Sequence, residues 1–450
     1  MSLLIILFSL LFFPKYPSLC LGLRLPLRHP QSSDNPLHDL YRSSLLRAHR
    51  IKNPHSKHSS PIALSVSPHS YGGYSLPAAF GTPPQPFPLL LDTGSQLTWI
   101  PCTTSYLCHS CPSRIPAFLP KLSNTSRLVG CRNPKCKWIH PASTRNCSQT
   151  RQQQPEACSP YFITYGSGST AGLLLSETLR LSDQSFPDFG VGCSLISDRQ
   201  PAAGIAGFGR GSVSIPAQLN LTRFSYCLIS RRFDENPDVT GTLILNEEKP
   251  NPNPKNSLIY TPFLKNPSID GVFSVYYYVG LRKITVGGKK VKIPHRALVA
   301  GPDGGGGVIV DSGTTFTYVH PTAFDPLLAA FVESVGGEFN RSLAAEEGTG
   351  LRPCFDLGEE RGAVRLPELA LHFKGGAAMR LPVENYFAFV GRGSSVICLT
   401  VASDGGDGSL GDGGPSIILG SFQQQNYYVE YDLERERFGF RQQSCVMSDK

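Results

Sequence analysis

Two aspartate motifs are the residues of this chain whose types and spacing could do chemistry. Asp92-Thr93-Gly94-Ser95 returns in the second half of the chain, with conservative changes, as Asp311-Ser312-Gly313-Thr314. Each copy follows a short apolar run, which places each aspartate at the end of a buried strand. A single copy is typical of an ordinary turn, since Asp and Gly both favour turns. Two copies predict a duplicated half-structure in which each half supplies one carboxyl group, so that two acids share one proton.

The overall composition favours many strands joined by tight turns. The chain has 450 residues, which is enough for two lobes with cores of their own. It contains 44 Gly and 38 Pro, and only 17% of its residues are charged. These proportions favour strands over helices. Residues 246–256 interrupt the strand pattern, and they predict a link between a first lobe over 67–255 and a second lobe over 256–450.

The N-terminal region predicts a secretory signal followed by a pro-segment. The apolar run from Leu3 to Phe13 is too short to cross a bilayer, so residues 1–22 are interpreted as a cleaved signal. A buried N-terminal strand is the alternative. Residues 23–66 are polar and basic, with one short helix predicted around Leu37 to Arg50, and they are interpreted as a pro-segment rather than a disordered tail. No later segment predicts a membrane span.

The cysteines and the candidate glycosylation sites also point to the secretory pathway. The chain has 13 Cys, an even set remains if Cys20 leaves with the signal, and seven of them lie in the segment 102–158. We interpret this segment as a disulfide-stapled insertion, with a zinc or redox role for Cys108 and Cys111 as the alternative. Four Asn-x-Ser/Thr sites add candidate glycosylation positions at Asn124, Asn146, Asn220 and Asn340. We expect a secreted glycoprotein of the apoplast, or a vacuolar one.

The net charge does not indicate a nucleic-acid partner. The formal charge is +8, but most of the basic excess lies within residues 1–66. The sequence also lacks a His-Glu-x-x-His zinc motif, a Gly-x-Ser-x-Gly elbow and a Walker loop. The bulk of the chain therefore carries no sign of another catalytic class.

A few elements of secondary structure are clear enough to predict. The spacing of apolar residues predicts an amphipathic helix over Pro321–Val335, ended by Gly336-Gly337. Strands are predicted over Ser274–Val279 and Arg282–Val286, with Gly287-Gly288 as the hairpin turn that follows.

The two motifs, with others in the same order, resemble those of the pepsin-like aspartic proteases over roughly residues 71–440. Trp99 follows the first aspartate by seven residues, and Phe162 to Ser169 resembles the β-hairpin flap that closes over substrate. The segments Ile205-Ala206-Gly207 and Ile418-Leu419-Gly420 resemble the family's two apolar-apolar-Gly segments. The cysteine-rich insertion and the Asp-Ser-Gly-Thr-Thr form of the second motif are most similar to the plant nepenthesin-like branch.

The resemblance implies an all-β, bilobal protein, a pepsin-like double β-barrel with its active site in the cleft between the lobes. It implies a secreted aspartic endopeptidase that is made as a zymogen, acts on peptide or protein substrates as a monomer, and needs no cofactor or metal. Asp92 and Asp311 would hold a water molecule between them. The ionised carboxylate would take a proton from this water, and the protonated carboxyl would polarise the scissile carbonyl.

The resemblance also gives roles to the residues around the pair. Gly94 and Gly313 would let the two loops approach, Ser95 and Thr314 would donate to the outer carboxylate oxygens, and Thr93 and Ser312 would tie the loops together. The expected substrate side comprises Tyr165, Gly166 and Ser167 of the flap, Trp99 as the hydrogen-bond partner of Tyr165, and Thr315. Gln96 and Ser167 stand where the plant branch often has Asp, and we expect them to alter specificity.

Disulfides Cys227–Cys445 and Cys354–Cys398 are implied by the resemblance, and the pairing of the other eight cysteines stays open. The rival interpretation is a catalytically inactive pepsin-fold binding protein, such as a glycosidase inhibitor, because some relatives have lost their catalytic residues. The intact aspartate motifs and Tyr165 favour the protease. A structural cell-wall protein is a third alternative.

Overall fold

The computed structural model describes most of the predicted body of the protein. The described residues are 73–110, 117–140, 156–166, 168–230, 240–246, 257–267, 272–358, 364–390, 395–405 and 414–446, together with the backbone of Leu23–Leu27 and the residues Leu37, Tyr41, Ser44, Leu45 and Ala48. The predicted signal, most of the predicted link at 246–256, Ser167 and Asn146 lie outside them.

Most strands of the first half of the chain lie in one large sheet. The strands of this half are β1 Leu23–Leu27, β2 Ser75–Phe80, β3 Gln85–Asp92, β4 Trp99–Pro101, β5 Leu107–His109, β6 Arg127–Leu128, β7 Tyr161–Thr164, β8 Ser169–Leu181, β9 Gln184–Asp198, β10 Ile205–Gly207, β11 Arg223–Cys227 and β12 Gly241–Leu245. Nine of these strands make one sheet in the order β5-β9-β4-β10-β3-β2-β8-β6, with β7 paired to β8.

The second half of the chain is also mostly β-strand, and its strands form smaller sheets. Its strands are β13 Ile259–Pro262, β14 Tyr277–Val279, β15 Leu281–Val286, β16 Lys289–Lys290, β17 Val308–Val310, β18 Thr317–Val319, β19 Asn340–Arg341, β20 Cys354–Asp356, β21 Leu369–Phe373, β22 Ala378–Leu381, β23 Phe387–Phe389, β24 Val396–Leu399, β25 Val401–Ser403, β26 Ile417–Leu419, β27 Tyr427–Asp432 and β28 Arg437–Gln442. A five-stranded sheet of order β14-β17-β26-β18-β25 carries the second aspartate loop.

A six-stranded sheet joins the two halves beneath these loops. Its order is β1-β12-β11-β27-β28-β13, so strands from both halves lie side by side. At the junction, Phe224 of β11 is paired with Tyr431 of β27, and their rings stack with centroids 4.4 Å apart. Strand β1 extends the edge of this sheet, beginning directly after the predicted signal. The first part of the predicted pro-segment is therefore part of the folded sheet.

Helices are few and short in the described part of the chain. The α-helices whose bounds are described are α1 Pro134–Ile139, α2 Ile215–Gln218, α3 His295–Leu298, α4 Pro321–Val335 and α5 Leu343–Thr349, and a 3₁₀ turn spans Ser421–Gln424. The described residues of the helix predicted around Leu37 to Arg50 are also helical: Leu37, Tyr41, Ser44, Leu45 and Ala48. The helix predicted over Pro321–Val335 is confirmed as α4, which ends at Gly336 in the left-handed conformation, with φ of 62°. No helix among the described residues is long and apolar enough to cross a membrane.

One predicted strand is partly wrong. Residues Ser274 and Val275 belong to a 3₁₀ turn over Val272–Val275, and only Tyr277–Val279 is extended. The side-chain amide of Asn266 donates to the carbonyl oxygens of Phe273 and Tyr276, at 2.9 Å each. A side chain therefore satisfies carbonyls that a neighbouring strand would otherwise bond.

Disulfides fasten both halves. The predicted Cys227–Cys445 and Cys354–Cys398 bonds are present, and they are joined by Cys102–Cys193 and Cys136–Cys158. Cys108 and Cys131 are also disulfide-bonded. The alternative zinc role for Cys108 is therefore wrong, because a disulfide sulfur has no thiolate to offer a metal.

Candidate active site

Each aspartate lies at the end of a central strand that is held from the side by a parallel neighbour. Asp92 is the last residue of β3, which pairs in parallel with β10 so that Asp92 is opposite Gly207. Asp311 follows β17, which pairs in parallel with β26. The main chain completes each junction: Phe208 N–H donates to the Asp92 carbonyl at 2.7 Å, and Asp311 N–H donates to the Leu419 carbonyl at 3.0 Å. The apolar-apolar-Gly segments thus fix both loops.

The two loops meet face to face. Asp92 and Asp311 are both fully buried. A Cβ atom built on Gly94 would lie 2.7 Å from Cγ and Oδ1 of Asp311, closer than real side chains approach. Only a residue without a side chain allows the first loop to come this near the second carboxyl group.

Both carboxyl groups receive the same pair of hydrogen bonds. Gly94 N–H donates to Oδ1 of Asp92 at 2.9 Å, and the Ser95 hydroxyl donates to Oδ2 at 2.6 Å. In the second loop, Gly313 N–H donates to Oδ1 of Asp311 at 2.9 Å, and the Thr314 hydroxyl donates to Oδ2 at 2.5 Å. Donors stabilise a carboxylate, whereas burial beside a second carboxyl opposes double ionisation. The arrangement therefore suits two acids that titrate together and share a proton.

A reciprocal pair of hydroxyl residues ties the loops together. Thr93 N–H donates to the Ser312 hydroxyl at 3.1 Å, and Ser312 N–H donates to the Thr93 hydroxyl at 2.9 Å. The Ser312 hydroxyl donates to the Leu91 carbonyl at 3.0 Å, whereas the matching bond from Thr93 to the Val310 carbonyl is longer, at 3.4 Å. The main-chain bonds are nearly symmetric, and the hydroxyl bonds are not.

The predicted flap is a hairpin formed by β7 and β8. Its turn closes between Tyr165 and Gly168, where Tyr165 N–H donates to the Gly168 carbonyl at 2.7 Å. Tyr165 is buried in one apolar cluster with Trp99 and Leu97. Gly166 lies at the turn, half-buried.

The predicted hydrogen bond between Trp99 and Tyr165 is wrong. The indole N–H of Trp99 has no hydrogen-bond partner in the described part of the chain, although the side chain is fully buried. Trp99 is fixed instead by strand β4, where it is paired with Ile205, and by packing against its neighbours. The two aromatic residues share a cluster, as predicted, without the polar link.

Residues from the predicted pro-segment contact the second aspartate loop. The Ser44 hydroxyl accepts hydrogen bonds from Thr315 N–H at 3.0 Å and Phe316 N–H at 3.1 Å. The Tyr318 hydroxyl donates to the Tyr41 carbonyl at 2.5 Å. Thr315, predicted on the substrate side, is therefore hydrogen-bonded to Ser44 in this structure.

The predicted glycosylation residues that the structure describes are all on the surface. Asn124, Asn220 and Asn340 are exposed. Their amides are accessible to a glycosyl-transfer enzyme, which is a necessary condition for modification.

Comparison with known proteins places this geometry in a family. The chain is 33% identical over 431 residues to a probable aspartyl protease of Arabidopsis thaliana, covering 85% of this chain and 84% of the relative. It is 31% identical over 437 residues to the aspartic proteinase nepenthesin-2 of Nepenthes gracilis, covering 95% and 91%.

The chain belongs to the plant nepenthesin-like branch of the pepsin-like aspartic proteases.

Two family models match the halves of this pepsin-like protein. They are described as the xylanase inhibitor N-terminal domain, over residues 74–245, and the xylanase inhibitor C-terminal domain, over residues 276–442. Among solved structures, edgp superposes with a TM-score of 0.66 at 18% identity, covering 95% of this chain and 98% of edgp. Basic 7S globulin from soybean gives a TM-score of 0.63 at 18% identity, with the same coverage of each chain. These similarities show the bilobal all-β fold.

Four residues near the pepsin-like site escaped prediction. Ser44 lies in a segment without a motif, and Tyr226, Gln424 and Tyr431 lie beneath the aspartate loops with no sequence signal that links them. Tyr226 and Gln424 are 198 positions apart, so the folded sheet brings them together. The alternating Tyr427, Val429 and Tyr431 predict one face of a strand, but not the partner of that face.

Proposed function

We propose that this protein is an aspartic endopeptidase that hydrolyses peptide bonds in acid, using a water molecule held between Asp92 and Asp311. The observation that carries the proposal is the complete set of donors around both buried carboxyl groups: Gly94 and Ser95 on one side, Gly313 and Thr314 on the other. A pair that had lost its catalytic role would have no need to keep both sets.

The reaction requires one ionised and one protonated carboxyl. The carboxylate takes a proton from the bound water as the water oxygen attacks the scissile carbonyl carbon. The carboxylic acid gives its proton to the carbonyl oxygen, which produces a tetrahedral diol. Transfer of a proton to the peptide nitrogen then lets the C–N bond break, and the two products are a carboxylic acid and an amine.

The proposed substrate is an extended peptide or unfolded protein segment. The flap hairpin offers main-chain groups with which an extended peptide can pair. The apolar cluster of Trp99, Leu97 and Tyr165 lies directly under this hairpin. We expect this cluster to form a pocket for an apolar side chain of the substrate.

We further propose that the protein is made as a zymogen in the secretory pathway. The disulfides support an oxidising compartment, because such bonds rarely persist in the cytosol. The pairing of β1 with β12 and the contact of Ser44 with the Asp311 loop support a pro-segment that folds with the enzyme. Its basic residues would pair with acidic groups at neutral pH and release them as those groups take up protons.

The alternative is an inactive pepsin-fold protein that binds a glycosidase. The observation that favours it is the description of the two matching family models as xylanase inhibitor domains. The geometry of the aspartate pair favours the protease, since binding alone would not require two buried carboxyl groups that face each other.

The test uses Asp92→Asn and Asp311→Asn, with the pro-segment removed by an added protease that is then inactivated. At about pH 4, each variant should cleave a denatured protein at least ~1,000-fold more slowly than the unsubstituted protein. Asp183→Asn, at an exposed position in the turn after β8, is the matched control and should retain activity. A statine-type transition-state mimic should block the active forms. Undiminished cleavage by either active-site variant, or an unsubstituted protein that binds a xylanase and cleaves nothing, would overturn the proposal.

A further inference from the structure

A buried tyrosine connects the strand that leads to Asp311 with the first half of the chain. Tyr277 belongs to β14, which pairs antiparallel with β17, so that Tyr277 is opposite Val310, the residue directly before Asp311. Its side chain is fully buried, and its hydroxyl donates to the carbonyl oxygen of Phe208 at 2.9 Å. Burial raises the pKa of the Tyr277 phenol well above its usual value, so the group keeps its proton and remains a donor.

Phe208 carries this connection to the first aspartate. It follows β10 directly, and its own N–H donates to the carbonyl oxygen of Asp92 at 2.7 Å. Its ring is fixed by edge-to-face packing against Phe224, with the ring centroids 5.2 Å apart. The main chain of one residue therefore bonds Asp92 through its N–H and Tyr277 through its carbonyl. We call this path from Asp92 through Phe208 to Tyr277 the tyrosine bridge.

The residue after Phe208 lies in a narrow space between the two halves of the chain. Gly209 N–H donates to the Ser95 carbonyl at 2.8 Å. A Cβ atom built on Gly209 would lie 2.8 Å from the carbonyl oxygens of both Ser95 and Val275, closer than real side chains approach. The absence of a side chain lets the segment that follows β10 lie against the second half of the chain at this point.

Arg210 completes this contact and packs on the phenol ring. Its N–H donates to the Val275 carbonyl at 2.9 Å, and its guanidinium is 2.5 Å from a carboxylate oxygen of Glu436, in the turn between β27 and β28. The guanidinium carbon lies 5.8 Å from the centroid of the Tyr277 ring and 5.5 Å from that of Phe263. A cation held over an aromatic face is attracted to that face, so Arg210 restrains the Tyr277 ring where its hydroxyl makes the bridge.

We propose that Tyr277 is a positioning residue, whose bond to Phe208 holds the two aspartate loops at the separation and the rotation that a shared proton requires. The hydroxyl tie between the loops acts on Ser312, one residue after Asp311, whereas the bridge acts on Val310, one residue before it. Two connections on either side of Asp311 oppose a rotation of the loops that one connection would allow. The kinetic consequence rests on the proposed endopeptidase activity, and the bridge itself does not.

The experiment compares Tyr277→Phe with Tyr278→Phe. The first variant removes the bridging hydroxyl and keeps the ring. The second makes the same change at the next residue of β14, which is equally buried and whose hydroxyl has no hydrogen-bond partner among the described residues. Because small displacements of catalytic groups slow the chemical step, we expect Tyr277→Phe to lower kcat about ten-fold with KM within about two-fold. Tyr278→Phe should keep both constants, and equal effects of the two variants would overturn the inference.

Hydrogen exchange gives a readout that needs no activity. In Tyr277→Phe, the amides of residues 205–211, which include the N–H groups of Phe208 and Gly209, should exchange about ten-fold faster, and Tyr278→Phe should not change them. Unchanged exchange in Tyr277→Phe would overturn the bridge, and faster exchange with an unchanged kcat would overturn the positioning role. Faster exchange in a protein that cleaves no peptide even before substitution would support the bridge and refute the endopeptidase proposal.

Arg210→Lys decides the question if Tyr277→Phe does not fold. Lysine keeps the charge beside Glu436 and loses the planar group that lies on the phenol ring. This variant should lower kcat about three-fold and speed exchange over residues 205–211. A folded Arg210→Lys protein in which neither quantity changes would overturn the inference, since the ring would then need no restraint.

Discussion

The two aspartate loops are nearly identical at their carboxyl groups and differ in the residues that lie farther along each loop. Each carboxyl accepts one main-chain and one hydroxyl hydrogen bond, from Gly94 and Ser95 or from Gly313 and Thr314. The chemistry of a shared proton needs this likeness, because either acid must be able to carry the charge. Substrate recognition and control by the pro-segment depend instead on residues that differ between the two loops.

The residues seven positions after each aspartate show the difference. Trp99 in β4 packs under the flap with Tyr165, and its indole N–H bonds nothing in the described chain. Tyr318 in β18 takes the matching position and donates to the Tyr41 carbonyl of the predicted pro-segment. The first loop thus borders the expected substrate pocket. The second borders the segment that we expect to leave on activation.

The largest loss of activity should come from placing a side chain in the narrow space between the two loops. Gly94→Ala places a methyl group 2.7 Å from the Asp311 carboxyl carbon, so one loop must move. We expect peptide cleavage to fall about 100-fold or more. Gly348→Ala, in α5 with open space around it, is the matched control and should leave cleavage unchanged. Full activity in Gly94→Ala would show that the loops do not need this close approach.

A second pair of variants tests whether the hydroxyl donors of the two loops contribute equally to kcat. Ser95→Ala and Thr314→Val each remove the hydroxyl donor to an outer oxygen, while nearly preserving shape. A hydrogen bond to a charged group contributes more than one to a neutral group. The variant beside the aspartate that carries the charge should therefore lose about 10- to 100-fold in kcat, and the other should lose less. Changes below about two-fold in both would contradict a role for these donors.

The smallest effect should be confined to the precursor. Ser44→Ala removes the hydroxyl that accepts hydrogen bonds from Thr315 N–H and Phe316 N–H. Loss of these bonds should weaken the hold of the pro-segment by about 1–3 kcal/mol and speed conversion of the precursor in acid. The mature enzyme made from this variant should match the unsubstituted one in kcat and KM. An unchanged conversion rate would show that Ser44 does not restrain the second loop.

The sequence predicts well those features that repeat or follow a local rule. The doubled aspartate motif and the helix Pro321–Val335 with its glycine stop both depend on short-range patterns. Two disulfides, Cys227–Cys445 and Cys354–Cys398, followed from the family resemblance.

The sequence predicts poorly those features that depend on distant partners. Asn266 donates hydrogen bonds to carbonyl oxygens at the 3₁₀ turn Val272–Val275, and no strand propensity reports that contact. The buried hydrogen-bonded group of Tyr226, Gln424 and Tyr431 brings together residues from both halves of the chain. Ser44 was missed for the same reason, since its partners lie 271 and 272 positions away.

The most direct test of the shared proton is the pH dependence of kcat/KM for the processed, unsubstituted protein on one peptide, measured from about pH 2 to 8. A pair in which one carboxyl is ionised and the other protonated predicts a bell-shaped profile with its maximum in acid, because activity is lost when both are protonated and again when both are ionised. A profile that rises through a single step toward neutral pH would contradict the account, since it would show that the active form needs no proton on Asp92 or Asp311.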